Sequence, residues 1–508
     1  GNAYRLLSSS RPYNGVDADN PQTRSTAIRL RPSSDLALRR LSGLDAGFLS
    51  LEMSEQPMQN IALGLLRTGT DGPLAPADLR RHIAARLDQL PAFRWRVVPV
   101  PLGLAHPVFV EDPRFDLGDH LCHAVLPEPG GPEELGAACA QLASQRLDRG
   151  RPLWRLTLVD GLADGRQAMV LEIHHALMDG CATRTTLARI FSGEEPASSP
   201  SLWRPGRVPG RMRLLTGALA HDAWALARLP ELIGRTRRAT VAVRQRRAGA
   251  AVTVPKARVD PPPSAINQGF TSERRFTWVS LPLDNVLAVK DVAGVSVNDV
   301  ALAVVGGALR GYLRARGALP DRPLVASVPV GMDELGATPR TAGNRFSRLT
   351  TSLATDVADA WERLQTISAV TAEAKACLDL AGRELLGDWL EYLPPMLLGP
   401  LVRRSQATRR RPGSRRVGPD ANVVVSNLRG PSIPWQLGST VVEEIYLAGP
   451  PNSEVGVNFA LWDYAGRLLF GILAFADLVE DPSELAVRLS RSLDELVAGA
   501  ECRRVPTT

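Results

Sequence analysis

Apolar positions recur along this chain with two periods, one near four residues and one of two. Over 73–89 (PLAPADLRRHIAARLDQ), Leu79, Ile83 and Leu87 return every fourth residue behind Pro73 and Pro76, which predicts a helix opening at the prolines. A second helix is expected at 133–147 and a strand at 153–159. The run 167–173 (QAMVLEI) is apolar almost throughout, the pattern of a strand buried on both faces. A further helix begins within 182–191 (ATRTTLARIF).

Ser, Pro and Gly then crowd 193–212 and mark a boundary. Beyond it 213–247 reads as an Arg-rich helix and 250–264 (AAVTVPKARVDPPPS) as an extended linker. The alternation resumes with a strand at 274–280, helices at 284–290 and 297–315, a strand at 323–329 and a helix at 356–378. Late strands follow at 421–426, 441–447, 454–462 and 467–475, before a closing helix at 482–498. No internal repeat interrupts this order. The expectation is an α/β protein of two lobes joined by a long crossover. Residues 1–39 form a flexible tail, 40–195 the first lobe, 196–264 the crossover and 265–500 the second lobe.

Composition narrows the class. With 508 residues, 44% of them hydrophobic and 22% charged, the chain can bury a large core. The most apolar stretches, 299–313 and 384–402, are too short or too interrupted by charge and proline to span a bilayer. The first forty residues lack the apolar core of a secretory signal, so a cytoplasmic location is expected. Five cysteines without a CxxC pair suggest neither a zinc site nor a disulfide framework. The net charge is +7, and of the 60 basic residues only Lys256, Lys290 and Lys375 are lysine. That skew is the mark of a GC-rich genome, but the charge still favours anionic partners.

The chemistry concentrates where the buried strand ends, at His174-His175-Ala176-Leu177-Met178-Asp179-Gly180. An imidazole titrates near pH 6.5, close to the pH at which a general base works best. Neighbouring histidines on a strand point to opposite faces, so the two are poorly placed to share a metal. Asp179 can turn back to hold the loop, and Gly180 permits a tight turn. The bland alternative is a satisfied core pair.

HHxxxDG is the signature of the coenzyme A-dependent acyltransferases, and its surroundings resemble the bacterial wax ester synthase/diacylglycerol acyltransferase family. The resemblance rests on an ordered set: Leu41-Ser-Gly-Leu-Asp45-Ala-Gly-Phe48, 112–126 (DPRFDLGDHLCHAVL), Leu126-Pro-Glu-Pro-Gly130, Leu147-Asp-Arg-Gly-Arg-Pro152-Leu-Trp154 and Asp160-Gly161-Leu162. Further on come Ser296-Val-Asn298-Asp299-Val-Ala-Leu-Ala303, Gly343-Asn344-Arg345-Phe346, Val425-Ser426-Asn427-Leu-Arg-Gly430-Pro431 and Tyr446-Leu-Ala-Gly449-Pro450. It covers about 41–498.

The resemblance implies two lobes, each like chloramphenicol acetyltransferase, with a tunnel and active site between them. It implies O-acyl transfer of a long-chain fatty acyl group from acyl-CoA to diacylglycerol or a long-chain alcohol. Acyl-CoA enters as co-substrate, with no permanently bound cofactor and no metal. His175 is then the general base, His174 its positioner, and Asp179 and Gly180 the shapers of the loop. Asn298 and Asp299 stand either near the thioester or at a helix start with Asn298 as cap. Pro152, Leu153 and Trp154 either touch the acyl chain or pack the core. Ser426 and Asn427 offer donors to the oxyanion.

Three departures bear on the acceptor: Glu172 stands where a basic residue is frequent before the His pair, Pro57-Met-Gln-Asn60 lacks a histidine, and Val328-Pro-Val-Gly-Met-Asp333 lacks an arginine. The competing readings are an acyltransferase for a polyketide or carrier-bound alcohol, and a catalytically silent lipid-binding member. Finally, the apolar 384–402 precedes an arginine cluster at 403–416 (RRSQATRRRPGSRR). The pair reads either as a peripheral contact with a membrane or lipid droplet or as a solvated loop. Nucleic acid is not expected, because no aromatic residues are interleaved with the cluster.

Overall fold

The structure, a computed structural model, describes residues 39–191, 206–257, 259–267, 271–334, 336–409, 419–452 and 455–504. The tail expected over 1–39 lies outside these residues except for Arg39, as do residues 410–416 of the arginine cluster at 403–416.

Two six-stranded sheets carry the fold. In the first, the strands stand in the order Trp435–Leu437, Thr440–Ala448, Gln59–Arg67, Gln167–His174, Trp154–Asp160, Leu121–Val125. In the second the order is Phe346–Ser352, Val325–Gly331, Val423–Arg429, Val457–Tyr464, Arg467–Phe475, Arg274–Pro282. A small sheet of Arg39–Arg40, Val108–Glu111 and Trp95–Val98 stands apart from both. This is the two-lobed α/β architecture that the alternating periods predict.

The sequence grouping puts every late strand in the second lobe, and here the structure differs. Strand Thr440–Ala448 pairs antiparallel with Gln59–Arg67, Ala448 opposite Ile61, and so completes the first sheet. Its period of two records that one face is buried and is silent on which sheet receives it.

The helices form where local signals place them. Helix Pro76–Arg86 opens at Pro76 and buries Leu79 and Ile83. Helix Val297–Ala315 is capped by Ser296 and lies, with Ala360–Ala381 and Ser483–Glu501, against one face of the second sheet. The crossover is one long helix, Arg211–Gly249.

Strand Val457–Tyr464 shows how one sheet serves two cores. Val457, Phe459 and Leu461 enter the helix-covered core, whereas Ala460, Trp462 and Tyr464 enter the core of the first sheet. Trp462 Nε1 donates to the Ile445 carbonyl at 2.6 Å, and the Tyr464 hydroxyl donates to that of Val442 at 2.7 Å. The sheets come close at Gly471, where a Cβ would stand 2.1 Å from the Leu447 carbonyl oxygen. Gly471→Ala should therefore force backbone apart and cost about 1–3 kcal/mol. A fall in the urea midpoint checks this; an unchanged midpoint would show that the joint yields freely.

Candidate active site

Strand Gln167–His174 lies between Gln59–Arg67 and Trp154–Asp160, and all eight of its residues are buried. The pleat then sends the two histidines to different surroundings. His174 is fully buried. Its Nδ1 accepts from the Ala176 amide at 2.9 Å, so its proton sits on Nε2, 3.4 Å from Glu52 Oε1. Arg149 Nε holds the other Glu52 oxygen at 2.8 Å. Burial pushes the Glu52 carboxyl up, but His174 and Arg149 outweigh it and hold it below its ordinary range. His174 thus supports the loop from behind.

His175 turns the other way. Its amide donates to the Met58 carbonyl at 2.7 Å, and its ring stacks on Phe48 with centroids 3.8 Å apart and planes 9° from parallel. Nδ1 stands 3.1 Å from Asn344 Oδ1. The Asn344 amide nitrogen already donates to Asp45 Oδ1 and to the His175 carbonyl, both at 2.7 Å. Its oxygen can therefore only accept, so the imidazole proton belongs on Nδ1 and Nε2 keeps a free lone pair. Burial drives the His175 pKa from 6.5 down to about 4, against a smaller upward pull from Asp179. The ring is neutral at pH 7, although well below the ordinary value that the sequence argument assumed. Asp45 is pushed above its usual range by burial, opposed by hydrogen bonds from Asn344 and Ser42.

Asp179 has a holding role only. It caps helix Gly180–Ile190 by accepting from the Ala182 amide at 3.0 Å. Its second oxygen accepts from the Arg345 amide at 2.8 Å and from Arg340 at 2.5 Å. Gly180 has no positive φ. It opens the helix, and a Cβ there would stand 2.7 Å from Leu428 Cδ1.

A cavity of about 450 Å³ lies between the sheets, within the roughly 300–1,000 Å³ usual for ligand sites. His175 reaches it from the first sheet with Leu171 and Ile173, and Ser327, Val424 and Ser426 face it from the second. Helices Leu385–Leu390 and Pro395–Arg409 close it with Leu386, Leu390, Leu398 and Val402.

Not every expected residue arrives. Ser426 lines the cavity, but Asn427, one pleat step on, does not. Asn298 and Asp299 lie in the first turn of Val297–Ala315, off the cavity. The cap there is Ser296, not Asn298: its hydroxyl accepts from the Asp299 amide at 3.2 Å, while Asp299 Oδ2 accepts from the Ser296 amide at 3.0 Å. Pro152, Leu153 and Trp154 are buried away from the cavity. Trp154 stacks between Phe93 and His120 and donates to the Phe93 carbonyl at 2.8 Å. Among the described residues no three His, Cys, Asp or Glu side chains converge as metal ligands would.

The chain matches the wax ester synthase/diacylglycerol acyltransferase catalytic domain over residues 41–301 and the C-terminal domain of the same enzymes over 342–497. The chain belongs to this family. It is therefore an acyltransferase. It is 33% identical over 464 residues to a putative diacylglycerol O-acyltransferase of Mycobacterium tuberculosis, covering 90% of this chain and 96% of that one. A second from the same organism is 33% identical over 482 residues, covering 92% and 99%. Among solved structures, a wax ester synthase/diacylglycerol acyltransferase from Marinobacter aquaeolei VT8 superposes with a TM-score of 0.64. It is 29% identical and covers 91% of this chain and all of that one. The first condensation domain of the CDA synthetase shares the fold, with a TM-score of 0.53 at 18% identity over 92% and 97% of the two chains.

The departures in sequence find local partners. Glu172 forms a two-pronged pair with Arg155 directly across the ladder, at 2.6 and 2.8 Å. Asp333 accepts from Arg340 Nε at 2.7 Å, and Gln59 donates to the Leu142 carbonyl at 3.0 Å.

Asp45 and Asn344 escaped the sequence argument, although both stand in segments that carry the resemblance, 41–48 and 343–346. Neither lines the cavity, so they act through the imidazole. Asn344→Ala should lower kcat about 10²-fold, within the range for general-base effects. KM for acyl-CoA should change little, and thermal unfolding should separate this from misfolding. An unchanged kcat would show that the tautomer needs no such support.

Proposed function

We propose that the protein transfers a long-chain fatty acyl group from acyl-CoA to the hydroxyl of diacylglycerol, and also to long-chain alcohols. The observation that carries this reading is the neutral His175 imidazole on an apolar cavity, its Nδ1 engaged by Asn344 and its Nε2 free. Relatives named as diacylglycerol O-acyltransferases and the Marinobacter enzyme support the substrate class.

The acceptor hydroxyl donates to Nε2 and attacks the thioester carbonyl as its proton moves to the ring. A C–O bond forms, the C–S bond breaks, and the coenzyme A thiolate leaves and recovers the proton from Nε2. The thioester is already activated, so no covalent enzyme intermediate is needed. The Asn344 oxygen receives the Nδ1 proton's hydrogen bond throughout, which steadies the imidazolium together with the smaller Coulombic pull of Asp179. Apolar walls hold the acyl tail and keep water from competing for the thioester. Ser426, on the cavity wall with Ser327, offers a hydroxyl donor of the kind that a developing oxyanion requires.

A single acyl-CoA, palmitoyl-CoA, assayed for coenzyme A release with diacylglycerol, monoacylglycerol and hexadecanol tests the reading. Release that none of these stimulates would be hydrolysis of the thioester by water and would overturn the reading, and no release with any of them would point to a polyketide or carrier-bound alcohol instead. His175→Ala should lower the rate about 10³-fold without loss of fold. Because burial lowers the His175 pKa, protonation removes the base only in strong acid. kcat/KM should therefore stay level down to about pH 5 and fall on a limb near 4, the folded-state value, rather than near 6.5. A limb at 6.5 would mean that the ring titrates as if in water.

A further inference from the structure

Ten of the seventeen large apolar side chains that stand exposed among the described residues lie on helices Arg211–Gly249, Leu385–Leu390 and Pro395–Arg409. On the long helix Met212, Leu219 and Leu226 repeat every seven residues and so share one face, 72%, 62% and 65% exposed. Arg237, Val241 and Arg244 continue at helical spacing and are exposed as well. This helix holds nine arginines against two acidic residues, Asp222 and Glu231. Helix Leu385–Leu390 lies beside it: Arg235 pairs with Asp388 at 2.6 Å, Trp389 donates to Thr236 at 3.0 Å, and beyond that helix the Tyr392 hydroxyl donates to the Ala225 carbonyl at 3.0 Å. Helix Pro395–Arg409 and the long helix both pack on the turn Pro101–Gly103. Apolar and basic side chains thus stand exposed together on neighbouring helices.

The underside of the same face is the roof of the cavity. Leu398 and Val402 line the cavity, while Met396, Leu397 and Leu401 of the same helix are 48%, 58% and 61% exposed. Leu386 does both, lining the cavity and standing 47% exposed. This helical layer therefore presents apolar side chains both to the cavity and to the exterior.

We propose that this face docks on an anionic phospholipid membrane and that the lipid acceptor enters the cavity through the gap between helices Leu385–Leu390 and Pro395–Arg409. Arginine stems lie along apolar surface while their heads meet phosphate, so a helix with an apolar stripe and excess positive charge suits a lipid interface. No single described helix is long and apolar enough to cross a membrane. The route of the acceptor rests on the catalytic reading above; the docking does not.

Sedimentation with phosphatidylcholine vesicles, with and without phosphatidylserine, tests the docking with no catalysis involved. The protein should pellet with the phosphatidylserine vesicles and be released by high salt. Leu219→Glu with Leu226→Glu, and separately Leu397→Glu with Leu401→Glu, should each weaken binding about tenfold or more. Their circular dichroism melts should match the parent protein. Coenzyme A release should fall for the second pair when diacylglycerol is supplied in vesicles and hold for a short water-soluble alcohol. Equal pelleting of parent and variants overturns the proposal. So does absence of vesicle binding, including the case where the variants convert a dimer to a monomer, which would assign the face to a second copy of the chain.

Discussion

The Asn344 carboxamide stands where three distant stretches of chain meet, and its hydrogen bonds leave it one orientation. Its nitrogen serves Asp45 and the His175 carbonyl, and its oxygen faces the imidazole Nδ1. A buried amide must satisfy these groups or incur the cost of leaving them bare. The neighbouring chain reinforces the arrangement: the Gly343 amide donates to the Leu177 carbonyl at 2.7 Å, and the Asp179 carboxylate receives the Arg345 amide. The His loop of the first sheet is thereby stitched to the segment leading into the second. Positioning the base and joining the lobes are one structural event.

Around that junction the protein keeps charge away from His175. The acid of the HHxxxDG motif could have been its counter-ion, but its oxygens are taken by the Ala182 and Arg345 amides and by Arg340. Glu172 and Glu52, buried behind the strand, are occupied by Arg155 and Arg149. Desolvation therefore dominates at the ring and leaves it neutral. Such buried pairs contribute little net stability, but breaking one would strand a charge in the core. Their effect at this site is to keep the loop in place while the base stays uncharged.

The cavity follows from pleating. Val424, Ser426 and Leu428 face it from one strand, while Val423 and Val425 enter the helix-covered core on the other side. Gly471 and Leu447 mark where the sheets touch, and the cavity occupies the space where they part. Its roof is not a sheet but short helices with apolar residues above and below. An exposed apolar surface of that kind marks an interaction site.

Much of this was legible in the chain alone. The two periods located the strands and helices because burial of one face imposes them locally, and Asp179 stands as the cap of helix Gly180–Ile190. Capping is equally local: Ser296 and Asp299 stand three apart in the pattern of a capping box, a signal that outweighs the functional meaning first given to Asn298 and Asp299. The Pro152-Leu153-Trp154 run was ambiguous, because a strand start and a substrate wall draw on the same apolar residues. Other facts had no local signature. Asn344 is 169 residues from His175 and 299 from Asp45, so only the folded chain could bring the three together. Likewise, a period of two cannot say which sheet a strand joins, and the placing of Thr440–Ala448 in the first sheet was decided by packing. Residue chemistry and local periodicity belong to the sequence. The proton's place on Nδ1 and the lowered pKa of His175 belong to the tertiary structure, because both arise from neighbours and from water excluded only when the lobes close.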